Sequence, residues 1–171
     1  MEIRESRPID RSAIEALYPA AFPDEDLLPI VRALFATESG VLSLAGMTDA
    51  VLVGHVVFTC CDIDSRENIA ALLGPLAVSP DHQREGIGRA LIYEGFRKLR
   101  NTSVRQVHVL GDPAYYGRFG FEPCNTVEPP YELPDDWQGA WQATCLYENE
   151  RVLNGQLGVP ECWRDRSLWA P

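Results

Sequence analysis

The chain has 171 residues, 46% of them hydrophobic and 23% charged, which is enough for one folded domain with a real core and too apolar for disorder. A formal net charge of −10 repels phosphate backbones, so no nucleic-acid partner is expected and a cationic amine is weakly favoured. No apolar run approaches the ~20 residues needed to span a bilayer, which argues against a membrane protein.

The polar start Met1-Glu2-Ile3-Arg4-Glu5 does not read as a secretory signal. Five cysteines, Cys60, Cys61, Cys124, Cys145 and Cys162, are odd in number and show no Cys-x-x-Cys spacing. Reduced thiols in the cytoplasm and no metal site are therefore expected, with the adjacent Cys60 and Cys61 as strand residues.

Along the chain, Ile3 opens a short strand. Asp10 is placed to cap a helix in which Ala13, Ile14, Leu17 and Tyr18 recur at helical spacing, and which Pro19 and Pro23 should end. A second helix carries Leu27, Leu28, Val31, Leu34 and Phe35, with Asp24, Glu25 and Asp26 at its positive N-terminal end and Gly40 as its stop. Residues 41–47 and 51–61 form an antiparallel hairpin around Thr48-Asp49-Ala50, and 62–68 is a polar connection. The apolar run 70–78 suits a strand buried on both faces, with a bulge or splay expected at Pro75. Ile87, Leu91, Ile92, Phe96 and Leu99 mark a helix to about Arg100, followed by a strand over 104–110. A short helix from Ala114 to Phe119 ends at Gly120. Late strands over 127–133 and 140–147 follow, and the tail from 148 to 171 is read as irregular. The order implies a mixed α/β layout with one parallel crossover at its centre.

Chemistry concentrates in the turn Gln83-Arg84-Glu85-Gly86-Ile87-Gly88-Arg89 between strand and helix. A helix start leaves about four backbone N–H groups unpaired, and these suit a phosphate group. Gly86 and Gly88 allow close approach to the main chain, and Arg84 and Arg89 add positive charge. A P-loop string is absent. A dinucleotide fingerprint would need Gly or Ala where Leu91 stands, so a nucleotide-binding oxidoreductase ranks behind.

Gln83-x-x-Gly86-x-Gly88, with Leu76-Ala77-Val78 before it and Arg89-Ala90-Leu91 after it, resembles the acetyl-coenzyme A (acetyl-CoA) loop of the GNAT N-acetyltransferases. Tyr115-Tyr116-Gly117-Arg118-Phe119-Gly120-Phe121 is similar to a second family segment. The string 109–123 resembles the YhbS-like branch of predicted N-acetyltransferases. The resemblance implies a single domain over 1–171 with an acyl-CoA N-acyltransferase fold, its cofactor-binding core over about 70–123. A central mixed sheet with splayed parallel strands would be flanked by helices. It further implies that Leu76, Ala77 and Val78 pair with the pantetheine arm, that the amides of Arg84, Glu85, Gly86, Ile87, Gly88 and Arg89 hold the pyrophosphate, and that Tyr116 is the general acid. Gln83 completes the cofactor set. Acetyl-CoA would be the co-substrate, and a small-molecule or peptide amine would be the acceptor in a ternary complex. Dimers are common for such folds. A non-catalytic acyl-CoA-binding module is the alternative. Many family members have an Asn after the second parallel strand; Gly111-Asp112-Pro113 stands here instead, which removes one cofactor contact.

Other residues weigh less. His55 and His108 sit in strand patterns and read as hydrogen-bonded strand residues, and His82 as an exposed turn residue. Cys124 has no evident base. Asp24, Glu25, Asp26 and the acids of 62–67 are general-base candidates by location alone.

Overall fold

The computed structural model describes residues 1–169, and its contacts group them into two compact units. The first comprises Met1–Phe58 and Gly74–Lys98; the second comprises Thr59–Leu73 and the chain from Leu99 onward.

In the first unit, strand β1 (Glu2–Glu5) leads to helices α1 (Arg11–Ala21) and α2 (Leu28–Phe35). Then come β2 (Val41–Thr48), β3 (Val51–Ile63), β4 (Arg66–Val78) and helix α3 (Ile87–Leu99), of which β3 past Phe58, β4 before Gly74 and the last helical residue belong to the second unit. The strand order here is β1-β2-β3-β4, with β1 and β2 antiparallel from Glu2↔Met47 to Glu5↔Leu44. Spacing of three and four residues puts Ile14, Leu17 and Tyr18 of α1 on one face, where they pack with Val31 and Ala77. Asp49 and Ala50 both have positive φ, 50° and 63°, as a two-residue hairpin turn between β2 and β3 requires. Gly54 lets α3 lie directly on β3: a Cβ there would stand 2.8 Å from Ile87 Cγ2 and 2.9 Å from Leu91 Cδ1.

The second unit contains β5 (Gln106–Leu110), α4 (Pro113–Tyr116), β6 (Glu122–Pro123), β7 (Val127–Glu128), β8 (Trp141–Cys145) and β9 (Gly155–Gly158). Its strand order is β4-β5-β8-β6. The β4–β5 pair is parallel over Ala70↔Gln106, Ala71↔Val107 and Leu72↔His108, and β5–β8 is antiparallel from Gln106↔Cys145 to Leu110↔Trp141. Thus β5 runs two residues past its last partner on β4 while still bonded to β8. Strand β9 adds to the far half of β3 at Asp62↔Gly158, and β7 pairs with β9. Parallel and antiparallel ladders together with flanking helices make this a mixed α/β fold.

Several local expectations change. Pro19 lies inside α1 instead of ending it: it removes one donor near the last turn, and the helix closes where Phe22 N–H meets the Tyr18 carbonyl at 2.8 Å. Asp10 stands at the start of α1, but its carboxylate accepts from Arg4 at 2.7 and 2.9 Å and from the Arg7 amide at 2.7 Å, so it clamps β1 rather than capping the helix. Gly40, with φ 76°, belongs to the turn into β2, because α2 has already ended at Phe35. The supposed polar connection 62–68 is mostly strand, turned tightly at Asp64 (φ 53°). Strand β4 is continuous through Pro75, yet its ladder to β5 ends at Leu72 and Gly74 takes φ 149°, so the splay expected near Pro75 is present. The strand expected over 127–133 stops at Glu128, since Pro129 and Pro130 carry no N–H to continue a ladder. The tail is less irregular than expected: besides β9, Trp163 donates to Thr59 Oγ1 (3.1 Å) and Trp169 to the Trp163 carbonyl (3.0 Å). The last two residues of that tail lie outside the described residues. All five cysteines are free thiols, and Cys60 and Cys61 lie on β3.

Candidate active site

The phosphate-type turn belongs to the first unit. Leu76, Ala77 and Val78 end β4, which closes the strand order of that unit, so β3 flanks them on one side and no further strand of the unit on the other. The chain then bonds Ser79 N–H to the Val53 carbonyl (2.8 Å) and makes a single turn at Pro80–His82. Gln83 donates its side-chain amide to the Val78 carbonyl at 3.3 Å, which fixes the exit from the strand. Arg84 has φ 66° and Gly86 φ 82°, with Glu85 between them outside the positive-φ region. Such alternation turns successive N–H groups toward one concave side, a nest that suits an anion. Ala90 N–H bonds to the Gly86 carbonyl at 3.0 Å, so the amides of Ile87, Gly88 and Arg89 precede the first intrahelical bond of α3. A Cβ on Gly86 would meet nothing within 4 Å, so its glycine is needed for conformation and not for room. Ile87 is buried and anchors the helix start. Arg84 and Arg89 are exposed, the latter with its guanidinium 5.2 Å over the Tyr93 ring. The Glu85 carboxylate contacts His82 Nδ1 at 3.2 Å.

Tyr116 belongs to the second unit. Asp112 caps α4 by accepting from Ala114 N–H (2.9 Å), and its carbonyl accepts from the amides of Tyr115 and Tyr116 at 3.1 and 3.0 Å. The Tyr116 ring meets Tyr115 edge-on at 5.0 Å and Phe121 at 5.7 Å. A Cβ on Gly111 would collide with this ring. The stretch Gly111-Asp112-Pro113 therefore seats the tyrosine: glycine for space, aspartate for the cap, proline for the first helical turn. Burial, and then the neighbouring Tyr115, push the Tyr116 phenol well above its ordinary pKa, so it is protonated at neutral pH. Arg118 lies 5.3 Å over the Tyr115 ring and donates to the Ala114 carbonyl.

The histidines are structural. His55 is fully buried; its Nδ1 is 2.7 Å from the Tyr18 hydroxyl and its Nε2 2.8 Å from Ser43 Oγ, which in turn meets Ser6 Oγ. Desolvation lowers its pKa to about 3. His108 is also fully buried, stacked on Trp141, with its pKa lowered to about 4 by burial. Gln106 accepts the Leu153 amide at Oε1, so its Nε2 donates to His108 Nε2 (2.7 Å), which assigns the His108 proton to Nδ1, an atom without a partner among the described residues. The carboxylates of Asp62 and Asp64 accept from backbone amides of Asn68 and Gln156. Asp24, Glu25 and Asp26 are exposed in the turn before α2, and Asp26 accepts from Leu28 N–H. Cys124 has Thr126 Oγ1 at 3.8 Å as its polar neighbour. The fit of Gly111 to the Tyr116 ring lies beyond the motif reading, although a glycine directly between a strand and an Asp-Pro helix start is a signal that could have found it. No group of three or more His, Cys, Asp or Glu side chains able to hold a metal occurs among the described residues.

The family model for the acetyltransferase (GNAT) domain matches residues 45–123, which contain both segments described above. The chain is 32% identical over 165 residues to the uncharacterized N-acetyltransferase YhbS of Escherichia coli strain K12, covering 94% of this chain and 95% of that protein. Its structure resembles that of the GNAT-family YhbS from Escherichia coli in complex with CoA, at a TM-score of 0.85 and 27% identity over 96% of this chain and 92% of that one. It also resembles a GNAT-family acetyltransferase from Brucella melitensis in complex with acetyl-CoA, at a TM-score of 0.75 and 30% identity over 95% and 97% of the two chains. With the relation extending along nearly the full length of both chains, the protein belongs to the GNAT family of acetyltransferases.

Proposed function

We propose that the protein transfers an acetyl group from acetyl-CoA to a primary amine of a small molecule or peptide, by direct attack in a ternary complex. The observation that carries this is the turn from Arg84 to Arg89, where φ alternates in sign immediately before a 13-residue helix whose first amides precede its first intrahelical bond. Two linked phosphates would be held by the amides of Arg84, Glu85, Gly86, Ile87, Gly88 and Arg89. Gln83 would hold the turn in shape. The main chain of Leu76, Ala77 and Val78 would add the pantetheine arm as a further strand. The complexes of the two solved relatives with CoA and acetyl-CoA support this ligand.

The reaction follows from the groups present. The neutral amine attacks the thioester carbonyl, its nitrogen gives up a proton to water, and a main-chain N–H near Leu76 or Ala77 stabilises the oxyanion. Collapse breaks the C–S bond, and the sulfur leaves with a proton from the Tyr116 phenol. The phenolate is then reprotonated from solvent. No acyl-cysteine is required. The five free thiols fit a reducing compartment, so we place the reaction in the cytoplasm.

Calorimetric titration with acetyl-CoA, followed by free-thiol release across an amine panel, tests this reading. Tyr116→Phe should leave cofactor affinity intact and lower kcat about 10²- to 10⁴-fold, the usual contribution of a general acid. Unchanged turnover in that variant removes the role of Tyr116. Cofactor binding without turnover across the panel would leave an acyl-CoA-binding module.

A further inference from the structure

The second unit holds a cavity of about 720 Å³ whose lining includes neither Tyr116 nor any residue of 76–89. Drug-sized ligand pockets run from ~300 to ~1,000 Å³. Pro129, Pro130, Tyr131 and Trp141 supply apolar and aromatic wall, and Glu128 and Glu132 supply charge. No Lys or Arg lines it. Neither glutamate has a cationic partner among the described residues, and both are exposed at the rim. The wall is held in place independently of any ligand. Gln156 donates to the Glu128 and Pro129 carbonyls at 3.3 and 2.9 Å, and Trp141 donates to the Val127 carbonyl at 2.8 Å. Tyr131 already receives a cation on its face, the Arg166 guanidinium at 5.8 Å, which is itself outside the lining.

The cavity also adjoins the turn that carries Tyr116. Gly111, whose lack of a Cβ seats the Tyr116 ring, donates its N–H to the Ala140 carbonyl (2.9 Å), and Gly139 and Trp141 on either side of Ala140 both line the cavity. Phe121, edge-on to Tyr116, is two residues from another lining residue, Pro123.

Resting on the acetyltransferase reading, we propose that this cavity is the acceptor site and selects an ammonium group carried on an aromatic or bulky apolar body. Two unpaired carboxylates at the rim receive the cation, and the proline-aromatic wall takes the body. A polycation lacking an apolar body, or a neutral aromatic, meets half of these requirements.

The probes are phenethylamine, tryptamine and benzylamine, with 2-phenylethanol as the neutral counterpart and spermidine as the charged counterpart without a ring. Titrations use the full chain saturated with CoA. The aryl amines should bind in the micromolar to millimolar range, more tightly than either counterpart. Glu128→Gln combined with Glu132→Gln should weaken them about fivefold to tenfold, as two partly exposed ion pairs imply. The same change should leave acetyl-CoA affinity and 2-phenylethanol affinity in place, and in turnover it should raise KM for the amine with little change in kcat. Tyr131→Ala should weaken the aryl amines and 2-phenylethanol together. Absence of binding by every aryl amine, affinity unchanged in both variants, or equal affinity for 2-phenylethanol overturns the proposal. The two readings fail separately. Acetylation insensitive to the cavity variants removes the cavity and leaves the activity, whereas cavity-dependent amine binding with no acetyl transfer keeps the cavity and removes the activity.

Discussion

Acid should unfold this protein through two buried histidines, in a pH range where its carboxylates are still charged. His55 and His108 are fully buried, with pKa values lowered from 6.5 to about 3 and about 4. A histidine whose folded pKa lies below its unfolded value binds fewer protons when folded. Its contribution to stability is therefore complete above about pH 6.5 and is lost as the pH falls toward the folded values. A tenfold difference in proton affinity between the folded and unfolded chain is worth about 1.36 kcal/mol. Between pH 7 and pH 5, where the unfolded histidines charge and the folded ones do not, each costs about 1.9 kcal/mol, or roughly 3–4 kcal/mol together. That is a large part of the ~5–15 kcal/mol typical of a domain. Asp10, lowered to about 2 chiefly by its hydrogen bond from Arg4, gives stability that is present above 3.8 and fades only below it, so it does not enter this window. Urea melts at pH 7, 6 and 5 should show the loss, and ring-proton NMR should show two histidines that do not titrate down to pH 5. Constant stability across the window, or His55 and His108 ring resonances shifting near pH 6.5, would refute the reasoning.

Other substitutions test other parts of the structure. Gly111→Ala puts a methyl group into the Tyr116 ring, so kcat should fall about 10- to 100-fold while acetyl-CoA affinity is retained; full activity would separate Gly111 from the site. Gly54→Ala forces apart buried Ile87 and Leu91, at 2.8 and 2.9 Å, and should cost about 1–3 kcal/mol, read as a Tm several degrees lower; an unchanged Tm would mean that β3 and α3 are not in close contact. Arg84→Gly relieves a positive φ at an exposed residue and should stabilise the fold by about 0.4–1 kcal/mol while weakening acetyl-CoA binding a few-fold, and a destabilised variant would contradict it.

Periodicity carried most of the fold. The recurrence of Ile14, Leu17 and Tyr18, and of Ile87, Leu91 and Phe96, marks two helices because one buried stripe must repeat near every 3.6 residues. The β2–β3 hairpin was visible in its short polar turn. Features set by tertiary partners were not. Asp10 looks like a cap until Arg4 is beside it, and Asp64 looks like loop until Gln156 donates to it from far along the chain. Strand β9 has no strand signature in Gly155-Gln156-Leu157-Gly158; its pairing with β3 makes it one. The same holds for the candidate site. Spacing pointed to the turn 83–89 and to Tyr116, but the fit of Gly111 to the tyrosine ring and the cavity beneath Trp141 depend on strand register, which short motifs do not encode.

Backbone strain separates the turn from its surroundings. The non-glycine residues with positive φ are Asp49, Ala50, Asp64, Asn68, Arg84 and Asn149. Asp49 and Ala50 are fixed by a two-residue hairpin, Asp64 turns the next one, and Asn68 and Asn149 belong to the small polar class that tolerates this region. Arg84 has none of these reasons. It is long, exposed, outside any hairpin, and two residues from Gly86, which shares its sign of φ. A conformation costing about 1 kcal/mol or more persists where the surroundings hold it, and such residues gather at ligand sites. Here the strained arginine is what turns successive amides inward ahead of α3. In the proposed phosphate site the local cost and the binding geometry are one feature, so relaxing Arg84 should strengthen the fold and weaken acetyl-CoA binding together.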